Sequence, residues 1–248
     1  MTGRSTGVQI TNNYNFGVEA GATVVDGSAA AYEVEDEKEF EEQAWAGATH
    51  LKVVVVGDKG VGKTSLARTF ATGRFPAEGI YTRLYIHAAE TWNRLRTVTD
   101  IKRRRIRPYV KNTYDDETPI SMTIWDTTSE PEARYTRPLT YENAHVILIC
   151  FSAVDRESFN NVKNKWWQEV YDHANGVPLI LVCTKSEIVT LGNLRPGQDY
   201  INTAEEAELA TEIGATYYVE VSALTRLNMD SLMESVIRFR DASKGVQD

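Results

Sequence analysis

The chain has 248 residues, 42% of them hydrophobic, and a formal net charge of −8. That length and apolar content support one full core, with room for an appendage. No run of about 18 apolar residues is available to span a membrane, and the start, MTGRSTGVQITNN, lacks the apolar centre of a secretory signal, so a cytoplasmic protein is expected.

Residues 1–49 carry two basic and nine acidic side chains, −7 of the total −8. The stretch is rich in Gly, Ala, Ser, Thr and Asn without a helical period and ends in the acidic run EVEDEKEFEE. It reads as a mostly disordered acidic extension with a short helix near Glu37 to Trp45. From Leu51 onward short apolar runs, at 51–56, 144–151 and 178–183, have the uninterrupted character of strands covered on both faces. Amphipathic segments lie between them. Phe159, Val162, Trp166 and Val170 share one helical face, Met229, Leu232, Met233 and Val236 another, and Thr203 with Glu206 makes a capping-box pattern that opens a further helix.

Alternating strands and helices predict an α/β fold, a mainly parallel sheet with helices on both faces and ligands at the carboxyl ends of the strands. RRRIRPYV and PISMTIW add a hairpin, with an edge strand marked by Pro108, which has no ladder donor. Cys150 and Cys183 each close an apolar run and are expected as buried thiols, neither a disulfide nor a metal pair. The stretch NRLRTVTDIKRRRIR (93–107) holds seven basic groups and one acid. It reads either as a solvated hairpin face or as a surface for phosphate or an acidic partner.

Gly57-Asp58-Lys59-Gly60-Val61-Gly62-Lys63-Thr64 fits GxxxxGK[ST], between a strand and a helix whose Leu66 and Phe70 face inward. The chemistry asks for glycines where backbone N–H groups curl around a phosphate, a lysine for its outer oxygens and a hydroxyl for Mg2+.

WDTTSE (125–130), TKSE (184–187) and SAL (222–224) follow in order. With them the chain from about Leu51 to Arg240 resembles a Ras-superfamily small GTPase, and FPAEGIYT, RPLTYENAHVILICFS and NVKNKWWQEV most resemble the Rho/Rac branch. The resemblance implies a P-loop NTPase fold, the small GTPase G domain, with a six-stranded mostly parallel sheet. It implies GTP or GDP with Mg2+ as ligands. The nucleotide-binding set it implies is Asp58, Lys59, Gly60, Val61, Gly62, Lys63, Thr64 and Ser65 of the loop, Phe75 and Thr82 after it, and Asp126 and Ser129. Thr184, Lys185, Glu187, Ser222, Ala223 and Leu224 complete it around the base. Within that set Lys63 reaches the β- and γ-phosphates, Thr64, Thr82 and Asp126 hold the metal, and Phe75 leans on the base. Catalysis falls to Glu130, Thr82, Lys63 and Lys59.

Three positions around the γ-phosphate depart from the family pattern. Lys59 stands at a glycine beside the γ-phosphate, Ser129 at the switch II glycine, and Glu130 at the glutamine that orients attacking water. An ionised Glu130 accepts but does not donate, so water positioning should suffer, and a long Lys59 occupies the path of an arginine finger worth roughly 10³ to 10⁵ in rate. Lys59 is open to three readings: a cation in cis for the γ-phosphate, a partner of Glu130, or a side chain in solvent. Glu187 stands where the family has the aspartate that pairs with guanine, the same carboxylate on a longer stem. The expectation is a Rho-like switch with slow hydrolysis; the alternative is a catalytically dead scaffold.

The expected layout is an extension at 1–49, the GTPase domain at 50–243 and a tail at 244–248. A basic insertion at about 86–105 separates switch I from the hairpin, and a short Rho-type insert occupies about 187–202. Effectors should dock through switch I, switch II and the basic insertion, with an exchange factor as a second kind of partner and no nucleic acid. The end FRDASKGVQD has no cysteine, so no lipid anchor and at most peripheral membrane contact are expected.

Overall fold

The computed structural model describes residues 47–76 and 106–239, all within one compact unit, Ala44–Asp248. Thr82, the helix expected near Glu37 to Trp45, the basic insertion and the tail lie outside the described residues.

Four consecutive valines set the layering. In β1 (Thr49–Gly57), the two-residue period of a strand sends Val53 and Val55 to one core and Val54 and Val56 to the other, all fully buried. The first core is closed by Leu66 and Phe70 of α1 (Lys63–Thr72) and by Leu232 and Val236 of α6 (Met229–Arg238). The second is closed by a long helix that runs from α2 (Arg156–Asn161) through a π-helical turn (Val162–Trp167) into α3 (Gln168–Ala174). Leu209 and Ala210 of α5 (Thr203–Glu212) complete it. Helices therefore cover both faces, as the unbroken apolar strands predict.

The remaining strands are β2 (Ile106–Asp115), β3 (Thr118–Thr127), β4 (Val146–Ser152), β5 (Leu179–Thr184) and β6 (Tyr217–Glu220). Their order is β2-β3-β1-β4-β5-β6, with β2 antiparallel to β3 and every other pair parallel. Pro108 lies on the edge strand, opposite Trp125. In the sheet β1 lies between β3 and β4, so the loop after β1 sits at a topological switch point, where open α/β sheets bind ligands.

Three local readings are sharpened. The capping box of α5 is made by Asn202 with Glu205, one residue ahead of the Thr203 and Glu206 pairing expected from the sequence, because Asn202 is the residue that keeps an extended backbone. Of the expected face, Val162, Trp166 and Val170 are buried and Phe159 is half-buried against them, but the face is made through a π-turn. Cys150 and Cys183 are free, buried thiols within β4 and β5. After β5 the chain makes one helical turn, α4 (Glu187–Thr190), and then runs irregularly to Ile201.

Candidate functional site

The phosphate loop is built from glycines that its geometry requires. A Cβ on Gly57 would lie 2.2 Å from the Cys150 carbonyl oxygen, so the loop leaves β1 pressed against β4. Gly62, at φ 105°, caps α1 in a left-handed conformation that side chains rarely adopt. Lys63 is buried, and its ammonium donates to the carbonyls of Gly57 at 2.8 Å and Asp58 at 2.7 Å. Burial pulls its pKa below the ordinary lysine value, against the opposing pull of Asp126, Cys150 and Asp58. The loop thus keeps its charge inside its own ring of amides, where an anion would meet it.

Thr64 Oγ1 donates to Asp126 Oδ2 at 2.7 Å, joining the start of α1 to the end of β3. A hydroxyl and a carboxylate oxygen are hard donors of the kind Mg2+ takes, so these two side chains fit the metal expected of them. The third expected ligand, Thr82, lies outside the described residues.

Beyond Gly62 a pocket of about 150 Å³ is lined by Ser65, Phe75, Thr184, Lys185, Glu187 and Ala223. Thr184 holds its floor: the hydroxyl donates to the carbonyl of Phe151 at 2.7 Å and also meets that of Val61. Glu187 Oε2 is buried there with no hydrogen-bond partner among the described residues. An orphaned buried carboxylate oxygen costs about 1–3 kcal/mol or more, and a ligand bearing N–H donors relieves it. Ser222, fully buried, accepts from Thr225 N–H at 3.0 Å and so shapes the turn that carries Ala223.

Lys59, Ser129 and Glu130 line one open cleft of about 410 Å³ between the loop, the end of β3 and the start of α2. Lys59 is exposed and forms no ion pair with Glu130. Of the three readings of Lys59, the locked pair is therefore not the arrangement adopted.

Sequence reading missed a second set of residues. Asp58, placed with the phosphate ligands, spends its carboxylate on the long helix: Asn161 Nδ2 donates to it at 2.6 Å, Trp166 Nε1 at 3.0 Å and Lys165 Nζ at 3.4 Å. The other side of Trp166 meets the Arg137 guanidinium, 4.7 Å from the ring centroid. Arg137, 3% exposed, grips Glu169 with two nitrogens and donates a third bond to the Thr128 carbonyl at 2.8 Å. The signal in the sequence was faint: Glu169 lies three residues after Trp166, so an acid flanks the apolar face of the helix.

Comparison with known proteins agrees with this layout. The sequence model of the Ras family matches residues 52–240. The Ras-like GTP-binding protein RhoL of Drosophila melanogaster is 31% identical over 188 residues, covering 76% of this chain and 85% of that protein. The Rho-related protein racM of Dictyostelium discoideum is 31% identical over 191 residues, covering 76% of this chain and 88% of that one.

Proposed function

The chain belongs to the Ras family as a Rho-like small GTP-binding protein, and from that premise we propose that it is a nucleotide-dependent signalling switch whose GTP hydrolysis is slow. Proteins of this family bind guanine nucleotide and Mg2+. Here the loop amides with Lys63 and Ser65 hold the phosphates, Thr64 and Asp126 with Thr82 hold Mg2+, and Glu187, Phe75, Lys185, Ser222 and Ala223 receive the base. Bound Mg2+ neutralises charge on the phosphate oxygens. The Lys63 ammonium exchanges its two loop carbonyls for phosphate oxygen, and the orphan oxygen of Glu187 accepts from the guanine edge.

The observation that carries slow hydrolysis is the cleft shared by Lys59, Ser129 and Glu130. A glutamine there donates to one oxygen and accepts from another; ionised Glu130 only accepts, and it adds negative charge beside the phosphates. Lys59 stands in the same cleft as a cation in cis and fills the space a partner's arginine would use. Effectors then read a long-lived triphosphate state through switch I, switch II and the basic insertion at 86–105, and an exchange factor resets it.

The test is to denature the purified protein and identify the released nucleotide, then to follow one turnover of added GTP. Retained GTP and slow turnover are expected. GDP with hydrolysis at the rate of ordinary Rho-type proteins overturns the reading, and no nucleotide at all points to a scaffold instead. Deleting residues 86–105 should abolish effector capture; unchanged capture removes the insertion from the interface.

A further inference from the structure

Behind the base pocket lies a second cavity, of about 220 Å³, whose lining includes Cys183, Ser186, Asn202, Glu206 and Glu220. Its centre is a proton-counting problem. The Tyr218 hydroxyl is in direct contact with Glu206 Oε2 and lies 2.9 Å from Glu220 Oε1. A phenol has one proton to donate. Two ionised carboxylates on it would leave one contact with no hydrogen between two oxygen acceptors. Both contacts are satisfied when Glu206 is the acid: its O–H donates to the phenol oxygen, and the phenol donates to Glu220, which also accepts from Thr203 Oγ1 at 3.0 Å. Glu206, on α5, is 1% exposed, as a neutral carboxyl should be.

The charged groups around Glu206 act in the same direction, and only the Cys183 thiol on β5 favours its ionised form. From β6 Glu220 and Tyr218 face it, and from its own helix Glu205 adds negative charge, itself matched by Arg156. Burial first, with Glu220 and Glu205 behind it, pushes the Glu206 carboxyl up to about 7. Ser186 adds an independent observation: it is 1% exposed, lines the cavity and has a hydroxyl without a partner among the described residues.

The same backbone separates this cavity from the base pocket. Cys183 and Ser186 face the cavity, whereas Thr184, Lys185 and Glu187 line the base pocket. Ser186 N–H donates to the Val221 carbonyl at 3.3 Å, and Val221, directly after Glu220, donates back to Cys183 at 2.7 Å and lines the base pocket. We infer that Glu206 is a buried proton-binding site whose occupancy holds the base loop closed, so that nucleotide retention depends on pH in the neutral range. Ionisation breaks the Glu206 O–H bond and sends the proton to solvent. It then leaves two like charges on one phenol, directly behind the loop.

This rests on the nucleotide reading above, so the experiment has arms that do not share it. The 248-residue protein is followed by infrared spectroscopy for the carbonyl stretch of a protonated carboxyl and by thermal unfolding, from about pH 6 to about pH 8. A fluorescent guanine nucleotide reports release over the same range. In the wild type the carboxyl band should fade and Tm should drop as pH rises, with release accelerating about fivefold or more. In Glu206→Gln, which keeps a donor and cannot ionise, the band is absent and both slopes flatten. Tyr218→Phe, a second variant, should move the band midpoint. A band absent from the wild type at about pH 6, or slopes unchanged in Glu206→Gln, overturns the proton site. A flattened Tm slope with unchanged release overturns its coupling to the base pocket. Failure of the protein to bind nucleotide overturns the functional reading and with it that coupling, while the band and Tm still decide the proton site.

Discussion

Arg137 and Glu169 meet in a two-pronged pair, Nε to Oε1 at 2.7 Å and Nη2 to Oε2 at 2.6 Å, with side chains 3% and 12% exposed. The pair joins the segment after β3 to α3, because the third Arg137 nitrogen holds the Thr128 carbonyl and Tyr141 OH donates to Glu169 at 2.5 Å. Trp166 lies against the guanidinium and, through its indole N–H, against Asp58. The phosphate loop and the segment after β3 are thus anchored on the same helix.

Glu169→Ala leaves a buried guanidinium without its carboxylate and should cost about 3–5 kcal/mol in urea unfolding. Burial alone would raise the pKa of Glu169, but its bonds to Arg137 and Tyr141 bring it below the ordinary glutamate value. A depressed carboxylate contributes stability above its unfolded value of 4.5, and that stability is lost as pH falls below it. Unfolding of the wild type should therefore steepen below that pH, and Glu169→Ala should lose this part of the acid dependence. Equal acid slopes would count against the pair.

Gly57→Ala places a methyl 2.2 Å from the Cys150 carbonyl oxygen at a φ of 142°. The loop and β4 must separate, so a loss of about 2–4 kcal/mol is expected, with weakened nucleotide binding. Chemical denaturation measures the first and nucleotide titration the second. Gly60→Ala is the control for space: nothing lies within 4 Å of its added Cβ, leaving only the cost of its φ of 82°.

Restoring glutamine and the two glycines, as Lys59→Gly, Ser129→Gly and Glu130→Gln together, should speed single-turnover GTP hydrolysis by about tenfold or more. Glu130→Gln alone should give part of that gain. A triple variant no faster than the parent would show that the cleft does not limit hydrolysis.

Glu187→Ala removes the orphaned acceptor from the base pocket. GTP affinity should fall by about 1.5–3 kcal/mol, roughly ten- to hundredfold, and the preference for GTP over ATP should shrink. Competitive titration of the two nucleotides reads both. Retained preference would place base recognition elsewhere.

The sheet and the loop were legible in the sequence because each is a local pattern. Val53 to Val56 announce a strand buried on both sides, and GxxxxGKT carries its own chemistry. The capping box of α5 was read one residue late because Asn202 and Thr203 are both capping types with a glutamate three residues on, and the extended backbone of Asn202 marks it as the cap. The long helix was legible as one apolar face, but its π-turn at Val162–Trp167 was not, since the spacing of apolar residues along the chain does not separate a single π-turn from a continuous α-helix.

The sequence alone determined the α/β class, the phosphate loop, the family resemblance and the departures at Lys59, Ser129, Glu130 and Glu187, because residue type and spacing along the chain suffice for those. Tertiary structure decided which side chains share a space. It kept Lys59 out of an ion pair with Glu130, and it turned the Asp58 carboxylate toward a helix more than 100 residues away. It also set Glu206 and Glu220 on one phenol. Such placements depend on how strands far apart in sequence stack side by side, and hydrogen-bond geometry and burial then fix the charge state, which no local pattern encodes.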